Sequence, residues 1–289
     1  KSEENTTEDI AKVSAIYSGG NITDKNPGVE EYDYQSLGIM YLKEKETLKY
    51  GTNFNYSLGI LQSKFDFDQG SKEDITSLKA GIGYEQYLKQ GSRFKYMTRG
   101  ELGVNYHDME RKIYLSNGTY KNNGDYFSGT AEWKNRLNYE LPIISKNFKM
   151  DIFGSLNTGY GKFQGFKEDG DGMYLDVKSE DYFSLRPGAG VEGEWSYTTV
   201  KGSKFMLTAG AAYEYETQDI YGDGNEVKIA NTDAGYYRLE EPEKIDNIFK
   251  ANVGVGYETS GGFKTGVRVE REEGSVKGTK YQLDFSWKF

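Results

Sequence analysis

The chain has 289 residues, enough for one large or two small domains, and sets 36 basic against 45 acidic side chains for a formal charge of −9. That balance argues against a nucleic-acid partner, since no basic patch interleaves with aromatics as a binding groove requires, and the absence of cysteine excludes disulfides and thiolate metal sites. Mean hydropathy is only −0.77, yet 25 Tyr, 15 Phe and 3 Trp are far too many for a chain that avoids a core.

Read in chain order for period-two alternation, the sequence predicts about twelve strands. The first runs from Ile10 to Tyr17 and the second from Tyr32 to Leu42. In the third, Leu48, Tyr50, Thr52, Phe54, Tyr56, Leu58 and Ile60 share one face, and Lys49 and Asn53 lie on the other. The fourth sets Leu78, Ala80, Ile82 and Tyr84 against Lys79, Gly81, Gly83 and Glu85. The fifth sets Phe94, Tyr96, Leu102, Val104 and Tyr106 against Lys95, Arg99, Glu101 and Asn105. The sixth, about Tyr126 to Leu141, turns Phe127, Ala131, Trp133, Leu137 and Tyr139 one way, and the seventh runs from Phe148 to Tyr160. The eighth separates Phe183, Leu185, Pro187, Ala189, Val191, Trp195 and Tyr197 from Arg186, Glu192 and Glu194. The ninth presents Phe205, Leu207, Tyr213 and Tyr215, the tenth Phe249, Val253, Val255 and Tyr257, and the eleventh Phe263, Val267 and Val269. The last alternates Tyr281, Leu283, Phe285, Trp287 and Phe289 with Gln282, Asp284, Ser286 and Lys288.

Successive side chains of a strand point to opposite faces, so every strand has one apolar and one polar face. Two environments suit such faces, a soluble sandwich and a barrel in lipid. Aromatics tend to fall at both ends of the apolar faces, as Tyr50 and Tyr56 or Phe249 and Tyr257 do, which matches rings seeking the headgroup level. A sandwich would crowd them into the middle. The links carry an independent signal. They are short after even strands, as in Lys43 to Glu46, Lys89 to Ser92, Thr199 to Gly202 and Ser260 to Gly262. After most odd strands they are long and acidic, as in Asp66 to Asp74, Asp108 to Asp125, Gln164 to Asp181 and Gln218 to Glu243. This asymmetry is that of an outer-membrane barrel with both termini on the periplasmic side. The expected fold is therefore all-β, a single transmembrane antiparallel up-and-down barrel of about twelve strands spanning residues 10–289.

No run of about 18 apolar residues exists, so no transmembrane helix is expected. Residues 1–9 lack the apolar core of a signal peptide, and a mature chain or carboxyl-terminal fragment is the expectation. The polar phase is dense with ions, Lys49, Glu85, Arg99, Glu101, Arg136, Arg186, Glu192, Glu194, Glu214 and Arg268 among them. Unpaired charges in a dry interior would cost several kcal/mol each, so these are expected to line a wet or polypeptide-filled pore.

Enzymatic chemistry is not legible. The single histidine, His107, has no companion motif and reads as a rim residue, so no catalytic residue is expected. The acidic runs Glu168 to Gly172 and Asp223 to Glu226 lack calcium-loop spacing and read as solvated loops. Gly81-Ile-Gly83 and Gly188-Ala-Gly190 have no helix after them, and read as lumenal positions that keep the bore open rather than as dinucleotide fingerprints. No cofactor and no metal are implied.

Three features resemble a known family: the barrel-length terminal domain, the strand Leu185-Arg-Pro-Gly-Ala-Gly-Val191 with Trp195, and the closing signature in which Gly278 precedes Tyr281, Leu283, Phe285, Trp287 and Phe289. Together they resemble the translocator (β) domain of a monomeric type V autotransporter of Gram-negative bacteria, over residues 10–289. The resemblance implies insertion in outer-membrane lipid, export and surface anchoring of an adhesin- or virulence-type passenger, and reading of the closing strand by the barrel-assembly machinery. It also implies a linker helix through the pore, of which residues 1–9 would be the end. Asn5-Thr6 does not match the asparagine pair at which some members cut the linker. A small-solute porin is the main rival and a barrel hydrolase the second.

Overall fold

The computed structural model describes residues 7–23, 31–47, 51–142, 145–218, 225–233, 235–238, 246–275 and 277–288. Its strands are β1 (Thr7–Ile22), β2 (Tyr32–Thr47), β3 (Thr52–Phe67), β4 (Lys72–Tyr87), β5 (Phe94–Leu115), β6 (Gly118–Glu140) and β7 (Phe148–Phe163). Short strands β8 (Phe166–Lys167), β9 (Asp169–Gly170) and β10 (Leu175–Val177) come next, then β11 (Glu180–Thr198) and β12 (Lys204–Tyr215). Two more short strands, β13 (Glu226–Ile229) and β14 (Tyr237–Arg238), precede β15 (Asn247–Glu258), β16 (Phe263–Gly274) and β17 (Gly278–Lys288).

Twelve of these, β1 to β7, β11, β12 and β15 to β17, pair antiparallel with their chain neighbours. The sheet closes where β17 returns to β1, Trp287 opposite Val13 and Gly278 opposite Ile22. Closure leaves no unpaired edge, which a sheet surrounded by hydrocarbon requires because nothing there can satisfy a free N–H or C=O.

Burial is inverted relative to a water-soluble protein. Leu58 is 57% exposed and Leu102 64%, and Phe54, Ile60, Val104, Phe127, Val253 and Val255 are also exposed. The buried side chains of the wall are mostly polar, including Ser36, Ser57, Ser63, Ser77, Asn138, Glu216 and Glu272. Ser36 and Ser63 hydroxyls hydrogen-bond across β2 and β3 at 2.7 Å. Apolar out and polar in is the arrangement for which lipid is the solvent. Near the short links the outward aromatics pair at ring distances of 4.8 Å for Phe94 with Tyr139, 4.8 Å for Phe205 with Tyr257 and 5.2 Å for Phe263 with Trp287. Tyr106 and Phe127 meet at 5.2 Å toward the opposite end, so two aromatic girdles frame the apolar belt.

Several expectations shift in detail. The links Asp66 to Asp74 and Asp108 to Asp125 are not long loops. Strands β3 and β4 continue to a turn at 68–71, and β5 and β6 extend as one hairpin, Leu115 opposite Gly118. Alternation weakens there, but Ser116-Asn117 forms a two-residue connection before a glycine, and the ladder satisfies backbone that a loop would leave to water. Strand β1 starts at Thr7 rather than Ile10, because β2 runs on to Thr47 and offers Thr7 to Asp9 a partner. No helix is present among the described residues; of the expected pore segment at 1–9, Thr7 to Asp9 belong to β1 and residues 1–6 lie outside the described residues. Leu48, Lys49, Tyr50, Ile143, Asp223 and Phe289 also lie outside the described residues.

The link from β7 to β11 and the link from β12 to β15 build a second, four-stranded sheet in the order β14-β13-β10-β8. Its core holds Val227, 1% exposed, and Ala230. It is pinned to the barrel by Glu168, which is buried against the Arg111 guanidinium in a two-point ion pair, Nε lying 2.6 Å from Oε1. Glu168 is thus no solvated loop residue.

Candidate functional site: the charged lumen

The lumen is built by the polar phase of each strand, and the register across strands turns the predicted charges into pairs. Lys95 meets Glu85 at 2.9 Å, and Glu101 takes both Lys79 at 3.0 Å and Arg99 at 3.3 Å. The Arg136 guanidinium grips Glu192 with two bonds of 3.0 and 2.6 Å while stacking 3.6 Å above the Phe153 ring. Lys204 reaches Glu194 at 3.1 Å. Lys250 bridges Glu214 at 3.1 Å and Glu272 at 3.8 Å, and Lys280 joins the latter at 2.8 Å. Arg268 lines one recess with Asp284 and Lys264 and a second with Glu270 and Lys280. Pairing across strands removes much of the cost of crowding charge on one surface, and the alternating signs keep the wall hydrated without a single-sign field.

The Leu-Arg-Pro strand has a local logic. In β11, Leu185 and Pro187 direct their main-chain groups toward β12, and the ladder to β12 begins only at Gly188 opposite Glu214. Proline therefore stands just outside the ladder, where its missing N–H costs nothing. The interrupted edge is closed by Glu216, 1% exposed. Its carboxylate accepts from the Leu185 N–H at 3.0 Å, from the Gln218 N–H at 3.0 Å and from the Ser184 hydroxyl, and Arg186 Nε lies 3.6 Å away. A side chain at Gly188 would put its Cβ 2.9 Å from the Tyr213 carbonyl oxygen, so this glycine is fixed by close approach. Likewise a Cβ at Gly81 would meet the Ser57 hydroxyl at 2.8 Å and one at Gly83 the Asn55 amide at 2.6 Å. These glycines make room for polar neighbours and do not simply widen the bore.

At the end bearing the long links, His107 is not a free rim residue; its side chain is 12% exposed. Glu73 from β4 and Ser128 from β6 flank it, each at 2.8 Å, and the Tyr126 ring stacks on it at 4.2 Å. Phe166 of β8 stacks on the other face of Tyr126 at 4.6 Å, bringing the small sheet against the lumenal side of the wall. Sequence spacing gave no sign of Glu73, Ser128 or Tyr126, because register alone brings them together. Outside the membrane, Lys178 hydrogen-bonds Glu226 of the small sheet and holds its carboxyl below the usual range, with Arg238 adding to the effect.

In the closing strand, Tyr281 and Trp287 are exposed on the outer wall, and Phe285 and Leu283 pair across the seam with Ala15 and Tyr17. Gly278 packs under Ile22, where a Cβ would lie 2.5 Å from its Cδ1. The family described as "Autotransporter beta-domain" matches residues 11–270, most of the barrel.

The chain belongs to the autotransporter beta-domain family.

It is thus an outer-membrane autotransporter β-domain, in agreement with the closed twelve-stranded wall. Among solved structures, the translocator domain of the autotransporter NalP from Neisseria meningitidis matches with a TM-score of 0.73 at 14% identity, covering 99% of this chain and 90% of that one. The beta domain of the Bordetella autotransporter BrkA matches at 0.66 and 11% identity, covering 98% and 100%. The transport unit of the autotransporter AIDA-I from Escherichia coli matches at 0.50 and 10% identity, covering 100% and 93%. At such identities these likenesses show the shared fold, and the family match carries the assignment. A search of curated proteins finds no match for the autotransporter beta-domain chain.

Proposed function

We propose that this β-domain works as a single-chain monomer, passing an N-terminal passenger through its bore to the cell surface and remaining as its anchor. The observation that carries the reading is the paired, mixed-sign lumen inside a closed wall, within a chain of this family. Such a surface keeps an extended polypeptide hydrated during passage, and the charges named above act as its lining rather than as a chemical site. Short links at one end and the small sheet at the other support an orientation with both termini periplasmic and the small sheet outside.

Export so described involves no covalent step by the barrel. The energy comes from passenger folding outside and from the assembly machinery, which reads the closing strand through Gly278, Tyr281, Leu283, Phe285, Trp287 and Phe289.

Fusing a tagged passenger upstream of residue 1 tests the reading in a Gram-negative host. Protease added to intact cells should remove the tag while the barrel survives. A tag that stays protected until lysis would refute passage. Single-channel conductance separates the small-solute porin reading: the bore should open only when the upstream segment is deleted, whereas a porin conducts equally with it in place.

A further inference from the structure

We propose that Ser128, His107 and Glu73 form a nucleophile, base and carboxylate relay at the mouth of the barrel, competent to hydrolyse small carboxylic esters with an apolar acyl group. The three residues come from three adjacent strands. His107 on β5 stands opposite Ile75 on β4 and Tyr126 on β6, and Glu73 and Ser128 lie two residues along those strands on the same lumenal face.

The hydrogen-bond pattern fixes the proton positions. A carboxylate only accepts, so the Glu73 Oε1 contact of 2.8 Å requires the hydrogen on His107 Nδ1. Nε2 is then the acceptor, and Ser128 Oγ, 2.8 Å away, donates to it. The Asn105 amide donates to the same Oγ at 2.9 Å, which leaves the hydroxyl hydrogen pointed at the imidazole. The Tyr126 hydroxyl donates to Glu73 Oε1 at 2.8 Å, and its ring stacks on His107, so both carboxylate and imidazole are held in place. A nucleophile bonded to a base that is itself oriented by a third group is the arrangement by which serine hydrolases are recognised, whatever the fold.

The relay opens onto a cavity of about 490 Å³. One side carries Ser128, His107, Asn105 and Thr130; the other is apolar, with Phe166, Leu175 and Val227 of the small-sheet region. Arg111 and Glu168, further along, neutralise each other. An apolar acyl group is therefore the fitting occupant beside the serine.

In the step proposed, Oγ adds to the ester carbonyl carbon as its proton passes to Nε2. The strand N–H groups are engaged in the ladder, so the second Asn105 amide hydrogen and the Thr130 hydroxyl are the donors for the developing oxyanion. Collapse breaks the C–O bond to the alcohol, which leaves with the proton from Nε2. Water then adds to the acyl-serine by the same route and releases the acid. Ester and water give acid and alcohol, and no other reactant is needed. This activity is separate from export and stands or falls independently of it.

The test uses the full chain folded in detergent. A fluorophosphonate probe should modify Ser128, located by peptide mass spectrometry, and the protein should hydrolyse p-nitrophenyl butyrate. Ser128→Ala should lose both signals, and His107→Gln should lower the rate by roughly 10²- to 10⁴-fold. Glu73 acts by positioning: Glu73→Gln should lower kcat while leaving KM unchanged, because the imidazole loses the acceptor that orients it and the ester-binding cavity is untouched. Wild-type protein that acquires no adduct on Ser128 would overturn the proposal without recourse to any variant, as would a Ser128→Ala protein that hydrolyses the ester at the wild-type rate.

Discussion

Val253 and Asn252 are neighbours in β15 and point to opposite sides of the wall, so arginine at each gives a direct test of which side meets lipid. Val253 is 50% exposed between Ala209 and Val269, four residues from Phe249 and four from Tyr257. At about 3.3 Å per residue and a tilt of about 40°, four residues span roughly 10 Å of height, placing Val253 near the middle of the belt. Arginine facing lipid at that depth costs about 2–4 kcal/mol, or roughly 25- to 700-fold in the folding equilibrium. Asn252 instead faces the lumen, opposite Glu270 and beside Glu192, so arginine there meets carboxylates and should cost less than about 1 kcal/mol. Urea titration of the barrel in lipid vesicles, followed by gel mobility of unheated samples, measures both. Trp133 and Trp195 are exposed on the outer wall and give a second readout through fluorescence. Equal stabilities, or a larger loss for Asn252→Arg, would refute the inside–outside assignment.

Barrel closure depends on Gly20, where a Cβ would lie 2.1 Å from the Thr279 carbonyl oxygen across the β1–β17 seam. Gly20→Val should destabilise by about 1–3 kcal/mol or more and abolish the compact unheated gel band. Removing Arg111 leaves Glu168 buried and unpaired, so Arg111→Ala should free the small sheet for limited proteolysis while the barrel band persists; Arg111→Ala with Glu168→Ala should restore part of the protection. Glu226 has a depressed carboxyl in the folded state, so its contribution is present above the ordinary carboxylate pKa and is lost as pH falls through the folded value. Hydrogen exchange of β13, corrected for intrinsic rate, should accelerate in that acidic window, and Glu226→Gln should remove the dependence. Asn135 faces the outer wall and accepts from Tyr96 at 2.7 Å and Thr98 at 3.0 Å, so Asn135→Ala should cost about 1–3 kcal/mol in vesicles, more than alanine at exposed Val255 if polar satisfaction governs this site.

Much of the wall was legible because its physics is local. Leu58 and Leu102 had to face outward once their strands alternated, and the aromatic ends of those strands had to find an interface. The charges on the polar phase were equally plain as a set. Their partners were not: nothing in the spacing of Arg136 and Glu192, or of Lys250 and Glu214, says which strand lies beside which at what shift. The hairpin beyond Asp108 reads as a loop because its outward positions, Glu110, Lys112, Thr119, Lys121 and Asn123 among them, are polar, so the apolar outer face that marks the other wall strands is missing there. His107 looks isolated in the sequence because its companions lie 34 and 21 residues away in the chain.

The sequence by itself determined an all-β wall with a greasy and a wet face, since a strand's period is built into the backbone. The tertiary structure decided the register, and with it the ion pairs, the Glu216 closure beside Pro187, the small sheet and the serine–histidine–glutamate contact at the mouth. Register is a property of closing the ring: each strand's shift is set by both neighbours at once, and no stretch of sequence carries that information alone.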